Sequence, residues 1–226
     1  MREKVVVAWS GGKDSALALH EIVESERYEV RKLLTTITLN CNRISIHGVR
    51  RVLLEQQANA LGFPFGEIFV SNGSSNEEYE SALLKALKRQ RDESISSVVF
   101  GDIFLEDVRK YREQILAKVN MKGIFPLWKR NTYVLARRFI NLGFKAVITS
   151  IDTKALAEYF VGREYDEQFL SDLPQKVDPS GENGEFHSLV YDGPIFNERL
   201  SFTKGKRILR GKRFYYCDLI PVRERK

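Results

Sequence analysis

Cysteine is scarce in this chain: two in 226 residues, Cys41 and Cys217, with no C-x-x-C pair and no Cys/His spacing of a metal site. A disulfide framework and a structural zinc site are therefore not expected. Long apolar runs are lacking too. No stretch approaches the ~18 residues of a membrane span. The early run Val5–Trp9 is too short for a signal-peptide core, and it leads into glycines rather than a cleavage site. The expectation is a cytoplasmic protein with no membrane partner. Acidic residues are in deficit, 30 against 36 Lys and Arg, for a net charge of +6. The excess is not spread out. Residues 199–226 hold ten basic and two acidic side chains, so the body of the chain is close to neutral. A uniformly basic protein would invite a nucleic-acid reading. A neutral body with a basic end reads first as a solvated two-stranded surface, with an acidic partner or RNA as functional alternatives. Repeats and low-complexity tracts are absent. With 43% apolar and 29% charged residues, the composition is that of an ordinary globular protein of one or two domains.

Strand-like and helix-like segments alternate. Lys4–Trp9 is a short apolar run of the kind buried in parallel sheets. Ala16, Leu19, Ile22 and Val23 then recur at helical spacing. Val30–Leu39 reads as a second strand, and Val49, Val52, Leu53, Gln56 and Ala60 mark a helix ended by Gly62 and Pro64. Phe65–Val70 is a third strand, residues 76–91 a helix, and Ser97–Phe100 a fourth strand, before helical spacing resumes at Tyr111, Ile115 and Val119. Parallel pairing needs such crossovers. Residues 1–128 therefore read as a doubly wound, three-layer α/β domain. In such sheets ligands bind beyond the carboxyl ends of the strands, here Ser10–Ser15, Thr35–Asn42 and Gly101-Asp102. Residues 129–226 read as a smaller α+β domain. It has a helix bearing Val134, Leu135, Phe139 and Ile140, a strand at Ala146–Ser150 and a helix at Thr153–Gly162. A loop over 172–188 follows, then β-like stretches at Ser188–Tyr191 and Ile208–Ile220. Gly211-Lys212 marks a hairpin or bulge in the last of these.

Ser10-Gly11-Gly12-Lys13-Asp14-Ser15 joins the first strand to the first helix. Two glycines let the backbone bring N–H groups close to an oxyanion. The helix start adds unpaired N–H groups and its positive dipole end. Ser10 and Ser15 supply hydroxyls and Lys13 a charge, a set suited to a phosphate or pyrophosphate. Asp14 admits two roles, holding Mg²⁺ beside the phosphates or capping the helix. The loop is neither G-x-x-x-x-G-K-[ST] nor G-x-G-x-x-G. It resembles the PP-loop, S-G-G-x-D-S, of the N-type ATP pyrophosphatases. A second dense segment, Asp178–Ser188, packs three carboxylates, an amide, an imidazole, two hydroxyls and two glycines into eleven residues. By composition alone it is a solvated turn.

The chain as a whole resembles the diphthine–ammonia ligase family. The likeness runs from the PP-loop through Gly101-Asp102-Ile103-x-x-Glu106-x-x-Arg109 and Pro126-Leu127-Trp128 to Gly181–Ser188 and Tyr191-Asp192-Gly193-Pro194. It implies an adenine-nucleotide-hydrolase-like (HUP) fold and an amide-forming ligase that uses ATP and Mg²⁺. Such an enzyme adenylates a carboxylate, releases pyrophosphate and passes the acyl group to ammonia. In that reading ATP contacts Ala8, Ser10, Gly11, Gly12, Lys13, Asp14 and Ser15, with Thr35, Thr36, His47, Gly101 and Asp102 bordering it. The acceptor, diphthine on elongation factor 2 or a related acid, meets Glu106, Arg109, Gly181, Glu182, Asn183, Gly184 and Glu185. Asp14, Glu182, Glu185 and His187 are the catalytic candidates, the last three as bases for attacking ammonia. One departure bears on the acceptor. Authentic diphthamide enzymes tend to carry E-G-G-E-[FY]-E-[TS], and here Asn183 replaces a glycine and His187 a glutamate. Two rival readings use the same loop. One is tRNA thiolation or lysidine formation, for which Cys41 is the thiol nearest the loop region. The other is a non-catalytic nucleotide sensor. Self-association is left open.

Overall fold

Val5, Val6 and Val7 show how the first sheet is built. All three are fully buried, yet Val5 and Val7 join one apolar cluster and Val6 another. A strand with both faces covered needs no polar alternation, and its side chains still turn to opposite sides. The computed structural model of the protein describes residues 2–38, 48–71 and 73–222. In it, β1 (Glu3–Ala8), β2 (Tyr28–Thr38), β3 (Phe65–Val70), β4 (Ser97–Val99) and β5 (Lys122–Ile124) form a five-stranded sheet. Its order is β3-β2-β1-β4-β5, and every pairing is parallel. Helices α1 (Lys13–Glu24) and α2 (Arg51–Ala60) cover the face of Val5 and Val7. Helices α3 (Asn76–Asp92) and α4 (Glu106–Ala117) cover the face of Val6, Val98 and Phe100. The chain winds outward from β1 to β3, then returns to the other side of β1 with β4. The switch in strand order thus lies between the ends of β1 and β4, where a crevice for ligands opens.

The remaining residues build a second, antiparallel sheet. Helix α5 (Thr132–Asn141) leads into β6 (Lys145–Asp152), followed by the short helix α6 (Glu167–Asp172) and strands β7 (Phe186–Asp192), β8 (Phe202–Arg210) and β9 (Phe214–Pro221). The order is β7-β6-β9-β8. One apolar cluster runs from Val5, Leu19 and Leu54 through Phe139 and Phe144 to Leu189 and Tyr191, so the α1/α2 layer is shared by both sheets. Gly211-Lys212 does form the hairpin turn between β8 and β9. The helix expected over Thr153–Gly162 is absent, and that segment holds only a single 3₁₀ turn, Glu158–Phe160. The Asp152 carboxylate accepts the Lys154 N–H (3.0 Å), and its carbonyl accepts from Ala155 (2.9 Å) and Leu156 (3.0 Å). This local side-chain bond ties a turn where a helix would begin. The short β5 and α6 went unread in the sequence.

No helix among the described residues is long and apolar enough to cross a membrane.

Candidate active site

The loop after β1 is shaped from outside. Gly11 has φ +76°, and a Cβ there would meet Leu54 and Gln57 at 2.5 and 2.6 Å, so only glycine fits. Its carbonyl accepts from Gln57 Nε2 (2.9 Å) and from the Val190 N–H (2.9 Å). Gln57 is fully buried, and its carbonyl oxygen also takes the Trp9 indole N–H (3.0 Å). The Lys13 N–H donates to Ser188 Oγ (3.2 Å), and the Gly12 N–H to Ser10 Oγ (3.3 Å). Ser10 and Ser15 hydroxyls lie 3.1 Å apart, and Ser15 Oγ donates to the Gly12 carbonyl (2.9 Å). Strand β7 and helix α2 therefore hold the loop between them.

Gly12 caps α1 and has no side chain to do so, which sets aside capping by Asp14. Among the described residues, nothing accepts a hydrogen bond from the N–H groups of Asp14 and Ser15. A helix start left open in this way is an anion site in waiting. The Lys13 ammonium is already engaged within the fold. It is buried, donates to both Asp14 oxygens (2.8 and 3.1 Å) and to the Ser180 carbonyl, and lies 5.3 Å from the Phe186 ring centroid. Its charge staples the 178–188 segment to the loop. Burial raises the Asp14 carboxyl above its ordinary range, with Lys13 pulling it down.

A cleft of about 310 Å³ opens on the loop. Ala8, Ser10, Gly12, Lys13, Asp14 and Ser15 line one side, Gly101 and Asp102 a second, and Gly181, Glu182, Gly184 and His187 a third. Gly101 packs directly on the loop, where a Cβ would lie 2.8 Å from both the carbonyl carbon and oxygen of Asp14. Glu182 reaches across and accepts the Ile103 N–H (2.7 Å). Burial pushes its carboxyl up to about 7, with the Asp14 charge adding to the rise and the Ile103 bond opposing it. Burial, with the nearby Lys13 charge, takes His187 down to about 4, so its imidazole is neutral at pH 7.

Other candidates stand elsewhere. Glu185 is buried and does not line the cleft. Its Oε1 accepts from Asp178 N (3.1 Å) and Asn183 Nδ2 (3.0 Å), which orders the turn that carries Glu182. Glu106 and Arg109 do not pair with each other and lie on the face of α4 away from the cleft. Glu106 is exposed beside Lys129 (3.6 Å). Arg109 donates to Glu113 (2.8 Å), and its guanidinium lies 4.6 Å from the ring centroids of both Phe125 and Trp128. Thr35 and Thr36 part company as neighbours on a strand must. Thr35 is buried and donates to the Trp9 carbonyl (2.7 Å). Thr36 lines a small apolar cavity of about 90 Å³ with Leu34, Ile68, Tyr79, Leu83 and Val98, which adjoins the cleft at Ala8, Phe100 and Arg112. His47, Cys41 and Asn42 lie outside the described residues. Cys217 is buried in β9, away from the cleft, so it offers no thiol to this site.

Sequence reasoning missed Leu105, Val108 and Arg112, which line the cleft from α4 and its N-cap. Their 105, 108, 112 spacing on one helical face was the available signal. Among the described residues, no group of three or more His, Cys, Asp or Glu side chains is placed to hold a metal. Of the cleft's carboxylates Asp14, Asp102 and Glu182, Asp14 belongs to the helix start, so it would be the protein ligand of an Mg²⁺ that took its other ligands from phosphate and water and displaced Lys13 from its oxygens.

Comparison with known proteins places the chain in a family. The diphthamide synthase N-terminal domain matches residues 3–123, and the diphthamide synthase C-terminal domain matches residues 131–219. A diphthine–ammonia ligase of Danio rerio is 24% identical over 219 residues, covering 87% of this chain and 85% of its own. Those of Mus musculus and Homo sapiens are 26% and 29% identical, covering 64% and 52% of this chain. The match spans about half the length of the mouse and human proteins, 55% and 45%. The chain belongs to the diphthamide synthase family.

Proposed function

We propose that this protein is an ATP-dependent ligase that converts a carboxylate to an amide with ammonia, and that the carboxylate is diphthine on elongation factor 2. One observation carries the reading. An uncapped helix start rimmed by hydroxyls faces, across a single cleft, a carboxyl held near 7 that comes from the other sheet.

The phosphates of ATP sit on Ser10–Ser15, where Asp14 and Ser15 N–H groups and the two hydroxyls receive them. The adenine enters the apolar cavity beside Thr36. Asp14 would hold Mg²⁺, which supplies neutralising charge to the phosphates. An acceptor carboxylate oxygen attacks the α-phosphorus, the bond to the bridging oxygen breaks, and pyrophosphate leaves. Ammonia then attacks the acyl carbon, and AMP leaves with the oxygen. The ammonia nitrogen must shed a proton in this step, and ionised Glu182 takes it. Neutral His187 lies beside it as a hydrogen-bonding group. The protein's larger contribution is alignment and charge neutralisation.

The test is incubation with ATP, ammonium and elongation factor 2 bearing diphthine, read by mass spectrometry and nucleotide analysis. AMP, pyrophosphate and the amide are expected together. ADP in place of AMP would remove the adenylation step, and AMP without the amide would remove diphthine as acceptor. In the same assay Ser15→Ala loses a charge-assisted donor to phosphate, with an expected drop in ATP kcat/KM of about tenfold. An unchanged value would remove the phosphate site from this loop.

A further inference from the structure

A phosphate in the cleft needs a cation, and the lysine that the loop motif supplies is already bonded within the fold. Among the described residues lining it, the basic side chains are Lys13 and Arg112. Lys13 is committed to Asp14 and the Ser180 carbonyl. Arg112 is differently placed. With Ala8 and Phe100 it lines both the cleft and the apolar cavity, so it stands at their junction. Its guanidinium lies 4.4 Å from the Phe100 ring centroid. One edge is held by Asp102, with Nη2 donating to Oδ1 (3.1 Å) and Nε 2.9 Å from Oδ2. Asp102 is 10% exposed and Arg112 35%, so the carboxylate is the buried anchor and the guanidinium the accessible group. Among the described residues no partner engages Nη1. A ring beneath, an anchor on one edge and an open edge toward a cleft is a preorganised fork for an anion.

From this geometry we infer that Arg112 binds the α-phosphate of the nucleotide, and that Asp102 is the positioning residue that aims it. The inference rests on the nucleotide reading above. With adenine in the apolar cavity and the outer phosphates on the PP-loop, the α-phosphate falls at the junction Arg112 occupies. It is also the phosphorus under attack, where charge gathers as the oxygen nucleophile adds. Arginine suits the place because its plane both stacks on Phe100 and meets two phosphate oxygens, which an ammonium cannot do.

The experiment measures adenosine, AMP and ATP binding by calorimetry for wild type, Arg112→Gln, Arg112→Lys and Asp102→Asn, with melting curves for each. Arg112→Gln should weaken AMP and ATP by a common factor of about tenfold or more while adenosine is unchanged. Arg112→Lys should recover part of the loss, and Asp102→Asn should lose less than Arg112→Gln. Three results overturn the inference: AMP and ATP affinities at the wild-type level, loss for ATP but not AMP, or a parallel loss for adenosine. Should Arg112→Gln fail to fold, the Arg112→Lys comparison of AMP with adenosine decides. Wild-type protein that binds none of the three overturns the nucleotide reading itself, and this inference with it.

Discussion

Gly101→Ala should cut ATP-dependent turnover about a hundredfold, the scale that a displacement near 1 Å costs at a reacting centre. The added carbon would lie 2.8 Å from the Asp14 carbonyl carbon and 2.9 Å from the Ser15 nitrogen. Both are backbone atoms, so no rotamer relieves the contact. Either the end of β4 or the start of α1 must back away. Moving α1 shifts the very N–H groups that the proposed mechanism gives to phosphate. Overpacking of this kind costs about 1–3 kcal/mol, so the protein should still fold, with a lowered melting temperature. The measurement is kcat/KM for pyrophosphate release beside a thermal melt. Wild-type turnover in the variant would show that the close packing of β4 on the loop has no bearing on chemistry.

The second large effect belongs to Glu182. Its carboxyl titrates near 7 in the fold against 4.5 for an ordinary glutamate. As the base that relieves ammonia of a proton, it works ionised. Turnover at saturating ammonia should therefore rise through pH 7 and level off above it. Glu182→Gln should remove that limb and lower kcat by about a hundredfold. Stability runs the other way. A carboxyl raised by burial binds its proton more tightly folded than unfolded, so the stability it contributes is present below pH 4.5. That contribution is lost as the pH climbs toward 7. The glutamine variant, having no charge to bury, should gain on wild type in melts at pH 8. Loss of activity with gain of stability separates a chemical role from a scaffold role. A variant that is slow and also less stable at pH 8 would place Glu182 in the scaffold, through its bond to Ile103.

Much of this was legible in the residues. Ser10–Ser15 reads as a phosphate loop because glycine and hydroxyl spacing is a local property. The ends of β1 and β4 were placed because short apolar runs stop at glycines. What local pattern cannot report is direction. Lys13 reads as a phosphate ligand until tertiary packing buries it under Tyr165 and Phe186. Glu185 and Glu182 look equivalent in sequence, yet one stitches its own turn and the other crosses the cleft. Arg109 is the more conspicuous arginine, but helical phase turns it toward Trp128 and gives the cleft to Arg112 three residues on. Thr153–Gly162 misleads because Leu156, Phe160 and Val161 imitate a helical stripe while Asp152 ties a turn. The basic end is less bare than its count suggests, since Arg213 meets Asp152 (2.6 Å) and Lys204 meets Glu164 (3.1 Å).

The bonds from Ser188 and Val190 to the PP-loop have a consequence for the order in which the molecule is made. Lys13 and Ser188 are 175 positions apart, so the loop leaves the ribosome well before its supports do. Until residues 180–190 emerge, the Gly11 carbonyl has no Val190 to meet, and the Lys13 ammonium has neither the Ser180 carbonyl nor the Phe186 ring. Contacts of such long separation form late. A chain stopped before β7 thus carries the whole Ser10–Ser15 loop without the contacts that hold it in shape. The loop therefore takes its full set of contacts only once β7 is made, not when the first sheet is complete.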